Sequence, residues 1–129
     1  MKFGYTLIYV SDVEKTLNHY VQAFGAEIGF LHESKQYGEL NTGSTKLGFV
    51  HHDTASSHGF PYEAVAKEKT PFGVEIGLVV ENVSSAFDRA VSNGAAALKE
   101  PEVMPWGQTI GYVRDCNGVL VELCSAMQA

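Results

Sequence analysis

The strongest constraint on this chain is an internal repeat. "YTLIYVSDVEKTLNHYVQAFGA" at residues 5–26 and "EIGLVVENVSSAFDRAVSNGAA" at 75–96 each read as an apolar strand, a polar cap, an amphipathic helix and a glycine stop, offset by 70 residues. In the first copy Ser11 or Asp12 can cap a helix whose apolar residues Val13, Leu17, Tyr20, Val21 and Phe24 recur at helical spacing, and Gly25 supplies a left-handed end. In the second, Asn82 caps Val83, Phe87, Ala90 and Val91, and Gly94 is the stop. A unit that repeats at this spacing is one supersecondary element seeking a partner, so the repeat bears on the whole fold.

Three short strands with turn signals follow each helix, expected at 27–32, 36–41 and 45–51 in the first half and at 96–99, 108–114 and 119–124 in the second. Each half therefore reads β-α-β-β-β, an α+β architecture. The segment "HHDTASSHGFPYEAVAKEKTPFG" between them lacks periodicity and carries two prolines; it reads as a linker with a short helix near Tyr62 to Lys69. At 129 residues and 45% apolar content the chain suits one domain, with repeat one at 1–52, a linker at 53–71 and repeat two at 72–129. Two curved mixed sheets, each with a helix on its convex side, would leave concave faces to meet around a cleft.

Strand parity then selects side chains. In strand 74–80, Val74, Ile76, Leu78 and Val80 form the apolar face for the helix, so Glu75, Gly77 and Val79 look into the cleft, and by the offset so do Tyr5, Leu7 and Tyr9. "RDCNGVLVELC" at 114–124 reads as an Asn117-Gly118 turn and a strand whose Val119, Val121 and Leu123 pack outward on a helix. That leaves Glu122 on the cleft face beside Glu75. A lone strand glutamate is commonly a solvated one; two carboxyls side by side in a cleft are candidates for acid–base work or for a cation.

A net charge of -6 with scattered Lys and Arg argues against a nucleic-acid partner. "MKFGYTLIYV" reads as a first strand and not a signal peptide, and no run is long enough to cross a bilayer; a soluble cytoplasmic protein is expected. With that turn Cys116 lies opposite Val119 and Cys124 opposite Gly111, so the two cysteines should not pair. Of the five histidines, His51 and His52 point to opposite faces and one is a candidate for the cleft, whereas His19, His32 and His58 show no metal spacing. No Ser-His-Asp triad, phosphate loop or dinucleotide fingerprint is present. Trp106 and Gln108, in "PWGQT", with Tyr5, Tyr9, Tyr37 and Phe49, are candidates to stack on and hydrogen-bond a planar guest.

"YVSDVEKTLNHYVQAFG", "YGELNTGSTKLGF", "PWGQT" and the closing "GYVRDCNGVLVEL" together resemble the vicinal oxygen chelate superfamily of glyoxalases, bleomycin-resistance proteins and extradiol dioxygenases, and in particular its bacterial, bleomycin-resistance-like members. The last stretch is similar to the family's "DPDG-x-x-x-EL" hairpin. The resemblance implies a homodimer and, in metal-using members, cleft-facing His and Glu ligands on the first and last strands of each half. Those positions fall here on Tyr5, Gly48, Glu75 and Glu122. Gly48 has no donor and no imidazole is present, so Glu75 and Glu122 are the only candidate ligands: no metal or other cofactor is expected, beyond a weakly held divalent cation. The resemblance thus implies a metal-independent protein binding a small planar or aromatic molecule through Tyr5, Tyr9, Phe49, Glu75, Trp106, Gln108 and Glu122. The alternative is an enzyme, either a divalent-metal isomerase or lyase related to glyoxalase I or an acid–base catalyst using Glu75 and Glu122.

Overall fold

In the computed structural model, which describes residues 1–127, the chain divides into two compact units, Met1–Ala64 and Val65–Ala129. The first contains β1 (Tyr5–Val10), α1 (Val13–Phe24), β2 (Ile28–Leu31), β3 (Tyr37–Leu40), β4 (Lys46–His51) and α2 (His52–Ser56). The second contains β5 (Glu75–Val79), α3 (Val83–Ser92), β6 (Ala96–Val103), β7 (Thr109–Arg114) and β8 (Leu120–Cys124). Each unit has a four-stranded mixed sheet of the same topology, β1-β4-β3-β2 and β5-β8-β7-β6, with the first strand at one edge and parallel to the last. Two β-α-β-β-β modules are therefore present, as the repeat requires.

Local chemistry explains the helices. Asp12 Oδ1 accepts from the Lys15 amide at 2.9 Å and Gly25 closes α1 in the left-handed region, while Asn82 Oδ1 accepts from the Ser85 amide at 3.0 Å to start α3. Each helix buries its apolar stripe on one face of its own sheet. Leu17 and Tyr20 are fully buried in the first unit, and Phe87 and Ala90 are buried in the second. Glycine permits that approach: a Cβ at Gly38 would lie 2.6 Å from Leu17 Cδ1, and one at Gly111 would lie 3.4 Å from Phe87 Cδ2.

Two local expectations are corrected. The interrepeat helix is α2, at His52–Ser56, not near Tyr62 to Lys69. His51 caps it, its Nδ1 accepting from the Asp53 amide at 3.0 Å, whereas the backbone carbonyls of Ala66 and Lys67 are engaged by the Arg114 guanidinium at 3.0 and 3.1 Å. The β7–β8 turn is also one residue longer than Asn117-Gly118 alone. Asp115 Oδ1 accepts from the amides of Asn117 and Val119, and the Asp115 amide donates to the Val119 carbonyl, so Cys116, Asn117 and Gly118 form the loop. Cys124 consequently stands opposite Ile110, not Gly111, and neither cysteine forms a disulfide. The expected helix-face residue Val74 precedes β5 and is exposed.

Candidate functional site

Parity is now measurable. Gly111 faces α3 and is paired with Leu123, so Val113, Val121 and Leu123 belong to the helix face, and the alternate residues Tyr112, Glu122 and Cys124 point the other way. The parallel β5–β8 register sets Glu75 opposite Leu120, Gly77 opposite Glu122 and Val79 opposite Cys124. Glu75 and Glu122 thus project from neighbouring strands on one face, as their sequence positions suggested.

Their carboxyls lie within hydrogen-bonding reach of one another; that proximity, with partial burial and then the charge of Glu75, pushes Glu122 up to about 7. A Cβ at Gly77 would meet nothing within 4 Å except Glu122 Oε2, at 3.5 Å, an ordinary contact. Tyr112, directly opposite Glu122, donates its hydroxyl to Glu75 Oε1 at 3.4 Å, and burial followed by the glutamate charges raises its own pKa. Burial and the same two carboxyls raise Cys124, which disfavours a thiolate nucleophile.

No basic side chain neutralises the pair among the described residues. Arg114 is spent on the carbonyls of Gly118, Lys67 and Ala66, and Lys99 pairs with Glu102 at 3.6 Å. Trp106 and Gln108 precede β7. The Trp106 indole is 62% exposed and donates from Nε1 to Gln108 Oε1 at 2.9 Å, while Gln108 Nε2 donates to the Ser125 carbonyl at 2.9 Å. The amide therefore fixes the edge of the indole and leaves its ring accessible for stacking.

In the first unit, Tyr5 and Tyr9 lie on the face away from α1, Tyr5 61% exposed and Tyr9 edge-on to Tyr62 at 4.9 Å between centroids. Phe49 does not join them. It is fully buried on the helix face, its ring 5.2 Å from that of Tyr20, and its place in the binding set is withdrawn. β4 is apolar on both faces at Leu47–Val50, so alternation alone did not mark the inner side. His51 is the cap of α2, and His52 stacks on Tyr62 with Nδ1 2.7 Å from its hydroxyl. Tyr112 was missed by the sequence reading because the expected Asn117-Gly118 turn sets Val113 opposite Glu122, and only the longer loop brings Tyr112 there. Glu39, which accepts from Tyr37 at 2.6 Å and from Lys46 at 3.0 Å, was missed as well.

Among the described residues no group of three or more His, Cys, Asp or Glu side chains is placed to hold a metal ion. Zinc and related metals take three or four N, S or O donors. The carboxyl pair falls short of that set and matches at most the one or two carboxylates of a hydrated hard cation.

Fold and site together define a paired β-α-β-β-β protein with a polar centre on one sheet face. The chain belongs to the Glyoxalase/Bleomycin resistance protein/Dioxygenase superfamily, whose model matches residues 2–123. It is 26% identical to a lactoylglutathione lyase of Salmonella typhimurium, over 100% of this chain and 96% of that protein. A glyoxalase-related enzyme from Fulvimarina pelagi superposes with a TM-score of 0.82 at 17% identity, covering 98% of this chain and 88% of the other. A superfamily member from Sphaerobacter thermophilus superposes at 0.70 with 25% identity, covering 98% of both chains.

Proposed function

We propose that this protein binds a small planar or aromatic molecule without a tightly held metal, working as a cytoplasmic homodimer of single-domain chains. The observation that carries the reading is the carboxyl pair of Glu75 and Glu122, joined by Tyr112 and unneutralised by any basic side chain among the described residues. Such a pair offers one donor and several acceptors to a guest. Trp106, edge-locked by Gln108 on the same unit, supplies an aromatic plane.

The pair also favours a second reading, an acid–base catalyst. Glu122, pushed up to about 7, is protonated and ionised in comparable amounts near neutrality, as a general acid or base must be. A metal-dependent isomerase or lyase, the activity class named for the Salmonella relative, is the remaining alternative.

The test combines two measurements. Untagged protein purified without chelator should carry well under one transition-metal ion per chain by elemental analysis. In thermal-shift screens of planar aromatics, glycopeptide antibiotics and glutathione hemithioacetals, a guest present at about 100 times its Kd should add about 2.7 kcal/mol of stability, and Glu122→Gln should change that gain without unfolding the protein. Stoichiometric Zn, Ni or Fe surviving dialysis would overturn the metal-independent reading, and product formation from a screened compound would favour catalysis. Sedimentation tests the dimer, which a concentration-independent monomer would refute.

A further inference from the structure

The chain contains two Asn-Gly pairs, Asn93-Gly94 and Asn117-Gly118, and the second unit holds them very differently. Asn-Gly is prone to modify itself, because glycine puts no side chain in the way of its own amide nitrogen. That nitrogen attacks the asparagine Cγ: a new C–N bond forms, the carboxamide C–N bond breaks, and ammonia leaves with the glycine amide proton. Water then opens the cyclic imide at either carbonyl, giving aspartate or isoaspartate. Ring closure requires the glycine N–H to leave its acceptor and the asparagine backbone to rotate, so in a folded protein its rate follows local opening.

Asn117-Gly118 lies inside the β7–β8 turn. The Asn117 and Val119 amides donate to Asp115 Oδ1 at 2.8 and 2.9 Å, and the Gly118 amide donates to the Asp115 carbonyl at 3.0 Å. Asp115 and Gly118 are both buried. The interrepeat backbone closes the turn from outside, since a Cβ at Gly118 would lie 2.7 Å from the Ala66 carbonyl. Arg114 fastens the two, donating to the carbonyls of Gly118, Lys67 and Ala66 at 3.0, 3.1 and 3.0 Å. Rotating the Asn117-Gly118 peptide therefore breaks the turn and the clamp together. Asn93-Gly94 instead ends α3, and both residues are exposed. Asn93 Nδ2 donates to the Arg89 carbonyl at 2.8 Å and the Gly94 amide to the Val91 carbonyl at 3.2 Å. These bonds belong to the last helical turn, which opens first as a helix end frays.

The structure assigns Asn93 as a self-modification site of the folded protein, converting to aspartate and isoaspartate with water as the only co-reactant, while the Arg114 clamp seals Asn117 against the same reaction. Conversion removes the Nδ2–H donor that holds the Arg89 carbonyl and puts a carboxylate at the negative end of the helix dipole. Isoaspartate also lengthens the backbone at the helix stop. Both changes loosen the end of α3. None of the groups on which the role of Glu75 and Glu122 rests takes part, so the two readings fail independently.

The experiment incubates the full chain at mildly alkaline pH with reductant, once folded and once in concentrated guanidinium chloride, and follows both sites by tryptic peptide mass spectrometry. Trypsin separates them, Asn93 on residues 90–99 and Asn117 on residues 115–129. Each site's folded rate is divided by its own denatured rate, which removes the effect of neighbouring sequence. The quotient for Asn93 is expected to exceed that for Asn117 by about tenfold or more, because the clamped turn opens more rarely than the helix end. Arg114→Gln should speed Asn117 in the folded chain and leave Asn93 as it was. Asn93→Gln, whose longer side chain closes the ring poorly, should abolish conversion in residues 90–99. Comparable quotients at the two sites, Asn117 converting first, an Asn93 that stays intact while the denatured chain converts, or an Asn117 unmoved by Arg114→Gln would each overturn the proposal.

Discussion

The two units use one backbone plan to opposite electrostatic ends. In the first, the parallel pair in register is Leu7 and Gly48; in the second, it is Gly77 and Glu122. Each pair contains one glycine with the partner side chain beside it, a methyl-bearing leucine 2.8 Å from a Cβ built at Gly48 in one unit and a carboxyl 3.5 Å from one built at Gly77 in the other. The glutamates differ likewise. Glu39 faces Lys46 and a tyrosine that donates to it, and its pKa is lowered; Glu122 faces Glu75 and its pKa is raised to about 7. The scaffold fixes where a side chain points, and the charge of a single neighbour decides whether a carboxyl there holds its proton.

The comparison breaks most visibly at the helix face, which both units treat as core. Phe49 in the first unit corresponds in register to Leu123 in the second, both packed under a helix. Phe49→Ala should cost about 3–5 kcal/mol of stability by denaturant unfolding, because the site is fully buried. Guest binding per folded molecule should not change; a selective loss of binding at intact stability would return Phe49 to the site.

The two carboxyls should leave opposite signatures in the pH dependence of stability. Glu122 has a raised pKa, so its contribution is fully present below the ordinary glutamate pKa and is lost as pH rises through about 7. With solvent screening at a partly exposed site, that loss should be about 1–2 kcal/mol between pH ~4.5 and ~7. Glu39 has a lowered pKa, so its contribution is present above the ordinary value and is lost as pH falls. Unfolding curves across this range should show Glu122→Gln flattening the neutral side and Glu39→Gln flattening the acid side. If both variants flatten the same side, the contrast between the units is wrong.

The smallest effect belongs to Lys46. Its ammonium is largely exposed, so Lys46→Gln should cost less than about 1 kcal/mol. It should also release part of the hold on Glu39 and raise that carboxyl toward its ordinary range, measurable by carboxyl-carbon NMR titration. An unmoved Glu39 would mean that the Tyr37 hydroxyl alone holds it.

Much of this was legible in the chain itself. The 70-residue repeat, Asp12 and Asn82 as caps and Gly25 as a helix stop are local signals, set by hydrogen bonds within a few residues, and they predict both modules. Strand parity sufficed to put Glu75 and Glu122 on one face. It did not suffice for Phe49, because β4 is apolar on both sides and only packing against Tyr20 distinguishes inside from outside. Nor did it suffice for the β7–β8 turn, where the buried Asp115 carboxylate binds two backbone amides and lengthens the loop beyond what the Asn-Gly pair suggests. The closeness of Glu75 to Glu122, the Tyr112 bond and the lock of Tyr37 by Glu39 and Lys46 depend on strands distant in sequence lying side by side. Residue types and spacing determine which groups are available and which way each strand turns them; only the assembled sheet sets the few ångströms between them, and over those distances charge, burial and hydrogen bonding decide what each group does.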